Sequence, residues 1–175
     1  LVPNVPNAVR STLDGQSVQG VLLTSGNNVC PASYSQDDSS MADAYIERDE
    51  TERQLIRFAR EKNLPLLGVC RGMHMLNAHF GGSLLPSIAT GVSGVGQHGA
   101  WEHQVEVTDG RMAGHRGTTR LDCNSYHDQG LTADELASDL TCFAQTADGV
   151  VEGVLHAHLP FVGIQWHPER PGATG

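Results

Sequence analysis

Pro65-Leu66-Leu67-Gly68-Val69-Cys70-Arg71-Gly72 sets the architecture of this chain. An apolar run feeds a sharp turn, and a helix-like segment, Met73 to Phe80, follows. Strand, tight turn and helix in that order form the setting of a nucleophile elbow. Glycines stand two residues to either side of Cys70, where a Cβ would clash in so tight a bend. The turn lifts the Cys70 sulfur clear of the sheet. The unpaired N–H groups and dipole at the start of the next helix are expected to favour its thiolate. A lone cysteine at a strand end is ordinarily a buried structural residue, and the paired glycines turn the reading toward a nucleophile.

Gly163-Ile164-Gln165-Trp166-His167-Pro168-Glu169 supplies the second half. Phe161 to Trp166 reads as a strand. Residues two apart in an extended segment point to the same side, and Pro168 keeps His167 extended. His167 and Glu169 therefore reach one place, with the carboxylate set to orient the imidazole. By itself such a pair would read as a solvated turn. With the elbow, it completes a Cys, His and acid triad for acyl transfer.

These residues resemble the class I glutamine amidotransferase superfamily, which carries a Gly-x-Cys-x-Gly elbow and a late His-Pro-Glu in the same order. Cys70-Arg71-Gly72 and Gln165-Trp166-His167-Pro168-Glu169 are most similar to its free-standing γ-glutamyl hydrolase branch. Val21-Leu22-Leu23-Thr24-Ser25-Gly26-Asn27-Asn28 resembles the strand and glycine loop beside the nucleophile. Asn124-Ser125-Tyr126-His127-Asp128-Gln129-Gly130 resembles the segment near the glutamyl site. The resemblance extends from Gly20 to Glu169. Ser25-Gly26-Asn27-Asn28 departs from the common Gly-Gly-Asn-Asp loop, and His74 stands where Gln is frequent.

The resemblance implies a catalytic triad of Cys70, His167 and Glu169. It implies an oxyanion hole from the backbone N–H groups of Gly26 and Arg71, and substrate contacts from His74, Asn124, Ser125 and Tyr126. The implied reaction is hydrolysis of a γ-glutamyl amide through a γ-glutamyl thioester, with a small-molecule substrate and no metal or organic cofactor. Two other readings stay open: a glutaminase subunit passing ammonia to a synthetase partner, and an inactive binding module on the same fold. The hydrolase version of both motifs places the synthetase partner second. The family usually opens with a βα unit ahead of Leu1-Val2-Pro3, which reads as a strand end, and continues past Glu169. The expectation is a chain truncated at its N-terminus.

A length of 175 residues fits one domain, 1–175, with a substantial core. A net charge of -9 argues against nucleic acid or an anionic membrane surface as partner. No apolar run has the length of a membrane span. Cys30, Cys70, Cys123 and Cys142 show neither metal-pair spacing nor a disulfide framework. A reducing, cytoplasmic location suits a catalytic thiol, and the other three cysteines read as structural or incidental.

Strand-like and helix-like pieces alternate, which predicts an α/β fold with a mostly parallel central sheet flanked by helices, of the flavodoxin-like type. Val18 to Thr24 and Leu64 to Val69 read as buried strands, and Ser25 to Ser40 as loop. Ile46 to Lys62 reads as a helix with Leu55, Ile56, Phe58 and Ala59 as its apolar stripe and acids in its first turns. Thr90 to Gly99 reads as a mobile Gly- and Ser-rich loop. His103 to Val107, Cys142 to Thr146, Val150 to His156 and Phe161 to Trp166 read as strands. His156 with His158, and His98 with His103, lack a third ligand for a metal site. Gly94 to Gly99 does not join a strand to a helix as a phosphate loop does. His127 is read as lining the pocket rather than as a second base.

Overall fold

The computed structural model describes residues 1–34, 45–92, 99–110, 112 and 120–171. A short helix α1 (Val9–Leu13) precedes strand β1 (Val21–Leu23), the long helix α2 (Ile46–Lys62), β2 (Leu66–Val69) and α3 (Arg71–His79). Helix α4 (Ile88–Gly91) leads to β3 (Gly99–Val107), β4 (Arg120–Tyr126), β5 (Leu140–Gln145), β6 (Val151–His156) and β7 (Phe161–Ile164). The seven strands form one sheet in the order β1-β2-β7-β6-β5-β3-β4.

The α/β reading holds, and the sheet is mixed rather than mostly parallel. The pairs β1–β2 and β2–β7 are parallel. The pairs β7–β6, β6–β5, β5–β3 and β3–β4 are antiparallel. The reason lies in the connections. Helix α2 crosses from β1 to β2, and the whole stretch from α3 through β6 lies between β2 and β7, so both parallel pairs have the long connections they need. Later links, such as the turn at Asp148-Gly149, are too short for that and produce hairpins.

Helix α2 occupies the span its periodicity predicts. It buries Ile56, Phe58 and Ala59 and ends on Asn63, whose left-handed φ of 51° closes the last turn. Leu1–Pro3, expected as a strand end, carry no strand; a 3₁₀ turn at Pro6–Ala8 and α1 follow. Pro31–Ser33 is a 3₁₀ turn inside the Ser25 to Ser40 stretch that reads as loop, and α4 overlaps the Thr90 to Gly99 stretch at Thr90 and Gly91. The remainder of those stretches, 35–40 and 93–98, lies outside the described residues, as does His98. β4 is a strand that the residue pattern does not announce.

Two cores sit on opposite faces of the sheet. One packs Leu23, Leu66 and Phe161 against Ile56, Ala59, Met73 and Leu76 of α2 and α3. The other gathers Val69, Cys70, Val105, Cys123, Phe143, Ile164 and Trp166. β4 is the sheet's far edge, yet its Asn124 hydrogen-bonds the residues just after β7, four places away in the strand order. The sheet therefore curls back over its second core.

Candidate active site

Cys70 sits between the end of β2 and the start of α3 with φ 51° and ψ -105°. A side-chain-bearing residue there is strained, which is what an elbow needs to turn a strand into a helix within one residue. Both flanking glycines are required by space. A Cβ on Gly68 would lie 2.6 Å from the Gly72 carbonyl, and one on Gly72 would run into the backbone of Leu23 in β1. The Cys70 N–H donates to the Ile164 carbonyl at 2.7 Å, continuing the β2–β7 ladder one step beyond Val69↔Ile164. Parallel neighbours emerge at the same end, so the residues following β7 arrive beside Cys70.

Burial pushes the Cys70 thiol up to about 11; a hydrogen bond from the Arg71 N–H opposes this, and the Glu152 charge adds to it. This corrects the expectation that the helix start favours a resting thiolate. Desolvation outweighs the N–H donor, and the sulfur is a neutral thiol in the free protein.

His167 is buried, and its Nδ1 donates to Glu169 Oε1 at 2.7 Å. That bond fixes the tautomer. Nδ1 carries the proton, and Nε2 presents a lone pair, buried and without a hydrogen-bond partner among the described residues. Burial acts to raise the half-exposed Glu169 carboxyl, but the His167 bond and nearby charges outweigh it, leaving it below its ordinary value.

Asn124, expected at the substrate, clasps the backbone of His167. Its Oδ1 accepts from the His167 N–H at 2.8 Å and its Nδ2 donates to the His167 carbonyl at 2.9 Å. Ser125 is buried beside it. The half-exposed ring of Tyr126 stands edge-on to the His167 ring at 5.5 Å, and the Arg170 guanidinium lies over Tyr126 at 4.5 Å.

Gly26 leaves the same end of the sheet, three residues past Leu23↔Gly68. A side chain at Gly26 would strike the Arg48 guanidinium. Arg48 donates to the carbonyls of Thr24 at 2.9 Å and Ser25 at 2.8 Å, and pairs with Glu52 at 3.0 Å. Glu52 also pairs with the buried Arg71 side chain, whose other nitrogen meets Asp49. Asp49 in turn accepts from the Cys30 N–H and Ser33. One buried ion cluster on α2 thus ties the Gly26 loop and the loop before α2 to the elbow. Acids that read as helix-dipole residues are turned inward to Arg71.

His74, also expected at the substrate, is buried behind the sulfur. Its Nε2 donates to Gln165 Oε1 at 2.7 Å, and burial pushes its pKa down to about 3. His127 lies with its Nε2 3.5 Å from the wholly buried Glu152, which also has His103 Nε2 at 3.4 Å. Among the described residues no group of three His, Cys, Asp or Glu could hold a metal ion. None of the described helices is long and apolar enough to cross a membrane.

The family model of Peptidase C26 matches residues 2–169. The chain belongs to the Peptidase C26 family, among the class I glutamine amidotransferase-like proteins. This C26 chain is 32% identical to the γ-glutamyl-γ-aminobutyrate hydrolase of Escherichia coli O157:H7, over 95% of this chain and 68% of that protein. It is 27% identical to a glutamine-hydrolysing GMP synthase component from Methanospirillum hungatei, over 94% of this chain and 71% of that one. The glutaminase domain of Trypanosoma brucei CTPS, solved with bound acivicin, superposes with a TM-score of 0.66 at 15% identity, covering 97% of this chain and 69% of that one. Five curated relatives 30–33% identical to this chain are spanned over 55–68% of their length.

Two residues of this candidate site make contacts that the sequence pattern alone does not reveal. Glu152 is a lone carboxylate in the apolar run Val150 to Leu155, and that isolation is its signal. Gln165 lies within the Gln-Trp-His-Pro-Glu motif, and nothing in its spacing reveals that its amide reaches Cys70.

Proposed function

We propose that this chain hydrolyses a γ-glutamyl amide bond, with Cys70 as nucleophile. The supporting observation is the tautomer of His167. Glu169 holds its Nδ1 proton, so the unpartnered Nε2 is left as base at the strand end that carries Cys70. A thiol raised by burial needs such a base at the moment of attack.

Cys70 Sγ attacks the γ-carbonyl carbon while its proton passes to His167 Nε2. The carbonyl π-pair moves onto oxygen, facing the backbone N–H groups of Gly26 and Arg71. One such donor is typically worth about 3–4 kcal/mol. The tetrahedral intermediate collapses, the C–N bond breaks, and His167 gives its proton to the departing amine. A γ-glutamyl thioester remains on Cys70. His167 Nε2 then removes a proton from water, whose oxygen attacks the thioester carbon. The C–S bond breaks, glutamate leaves and the sulfur recovers a proton from His167. In this reading Tyr126, half-exposed beside the His167 ring, and Ser125 are the glutamyl contacts of their strand. The role needs no metal or organic cofactor, and a reducing cytoplasmic setting suits the thiol.

Likeness to a GMP synthase component supports a second reading, a glutaminase that hands ammonia to a synthetase. The hydrolase reading is favoured by 32% identity to γ-glutamyl-γ-aminobutyrate hydrolase over 95% of this chain, against 27% over 94% for the GMP synthase component. The experiment is steady-state kinetics on γ-glutamyl amines and on glutamine with purified protein alone, the amine identified by mass. Cleavage of substituted amides without a partner is expected. Glutamine turnover that appears only after a synthetase is added would favour the ammonia-donor reading.

A further inference from the structure

We propose that Gln165 is a catalytic residue of this site, its amide supporting the Cys70 sulfur from behind, and that His74 is the positioning residue that sets which end of the amide faces the sulfur. The inference rests on Cys70 being the nucleophile.

Gln165 is fully buried, and its Nε2 lies 3.6 Å from Cys70 Sγ. Both residues are pinned by their backbones: the Gln165 N–H donates to Glu152 at 2.8 Å and the Cys70 N–H to Ile164 at 2.7 Å. The side-chain amide can still be turned end for end, and only its far contact decides. That contact is His74 Nε2 at 2.7 Å from Gln165 Oε1. His74 lies wholly inside the protein, where a charged imidazole is disfavoured, so the ring is neutral and carries one proton, which the contact with Gln165 Oε1 assigns to Nε2. With Oε1 toward His74 as acceptor, the N–H donors of the amide face sulfur, and the two contacts hold one arrangement. The reverse orientation would face a carbonyl oxygen against a sulfur that becomes negative during attack.

The consequence is a donor that follows charge on sulfur. It strengthens as the thiol loses its proton to His167, and again when the C–S bond of the thioester breaks and sulfur leaves with the electron pair. In the free protein it stands beside the Arg71 N–H, which hydrogen-bonds the same sulfur. In this chain the position is His74, where the family resemblance has Gln frequently. A glutamine there could offer its own N–H to Oε1, so the pair works with either residue, and an apolar residue would break it.

The test reads Cys70 itself and needs no substrate. Thiolate absorbance near 240 nm is titrated against pH in wild type, Gln165→Met, His74→Leu and His74→Gln, each as a difference from its own Cys70→Ala version. Peptide-resolved iodoacetamide labelling of Cys70 at pH 8 runs beside it. Gln165→Met and His74→Leu are expected to raise the thiolate midpoint by about one pH unit and to slow labelling about tenfold. His74→Gln should stay within a factor of about three of wild type, the size of half a pH unit. Wild-type midpoints and labelling rates in both Gln165→Met and His74→Leu, with unchanged melting temperatures, would overturn the proposal. If Gln165→Met does not fold, the contrast between His74→Leu and His74→Gln decides alone, and equal behaviour of those two overturns it. Failure of the nucleophile reading is distinguishable: Cys70→Ala would then still hydrolyse substrate, whatever the titrations give.

Discussion

Asn124 holds the backbone of His167 from both sides, accepting from its N–H at 2.8 Å and donating to its carbonyl at 2.9 Å. Asn124 lies on β4 and His167 just beyond β7, strands four places apart in the sheet, and their contact closes the curl. Asn124 Nδ2 also lies 3.3 Å from the Pro171 carbonyl, so one side chain secures the segment that carries the proposed base. Asn124→Ala should lower kcat about 10- to 100-fold with little change in KM, because a misplaced base loses transition-state geometry rather than binding. Steady-state kinetics check this. A raised KM at unchanged kcat would return Asn124 to the substrate.

His167 and Glu169 are expected to separate in severity. His167→Ala should remove nearly all turnover, while Glu169→Gln loses less, since the orienting member of a triad can cost less than the base. Glu169 sits below its ordinary carboxyl value through its bond to His167, so that bond persists as pH falls until Glu169 protonates. In kcat/KM profiles, Glu169→Gln should weaken activity at every pH tested. A variant as active as wild type across the range would remove Glu169 from the triad.

The Cys70 thiol is pushed from an ordinary value of 9.0 up to about 11, and that shift carries a stability consequence. The folded state holds the proton longer than the unfolded chain does. The contribution is therefore fully present below pH 9 and is lost as pH rises through 11. Melting temperature should fall across this window, and Cys70→Ala should make the fall shallower. Part of the slope remains, because burial raises Cys123 as well, to about 12. Identical slopes in the two proteins would show that Cys70 is not held as a buried thiol.

Arg71 is buried against Asp49 and Glu52. Arg71→Met removes the cation facing Asp49 and one of the two facing Glu52, which keeps Arg48, and breaking a buried pair this way costs about 3–5 kcal/mol. Arg71→Lys should recover only part, because one ammonium cannot reproduce a guanidinium bridging two carboxylates. Urea denaturation measures both. A loss below about 1 kcal/mol in Arg71→Met would mean that the cluster behaves like an exposed pair.

Much of the site is legible in the chain because its signals are local. The elbow needs glycines at fixed offsets from Cys70, and His167 and Glu169 lie two apart on an extended segment, so steric and periodic rules reach them directly. Helix α2 is equally plain, since its apolar stripe repeats over many turns. The strand β4 is not: Arg120 to Tyr126 mixes polar and apolar residues without clean alternation. The direction of sheet pairing is also hidden, because a short buried strand looks alike in a parallel or an antiparallel neighbourhood.

The elbow at Cys70, the late His-Pro-Glu and the alternation that makes an α/β domain are properties of neighbours along the chain, and the order of residues suffices to reveal them. That Asn124 grips His167, that Glu52 links Arg48 to Arg71, that Gln165 reaches the Cys70 sulfur and that Cys70 rests as a thiol emerges only in the folded molecule. Each of those depends on which distant strands meet and on how much water the curled sheet excludes. Desolvation and long-range hydrogen bonds are set by packing, which no short window of residues carries.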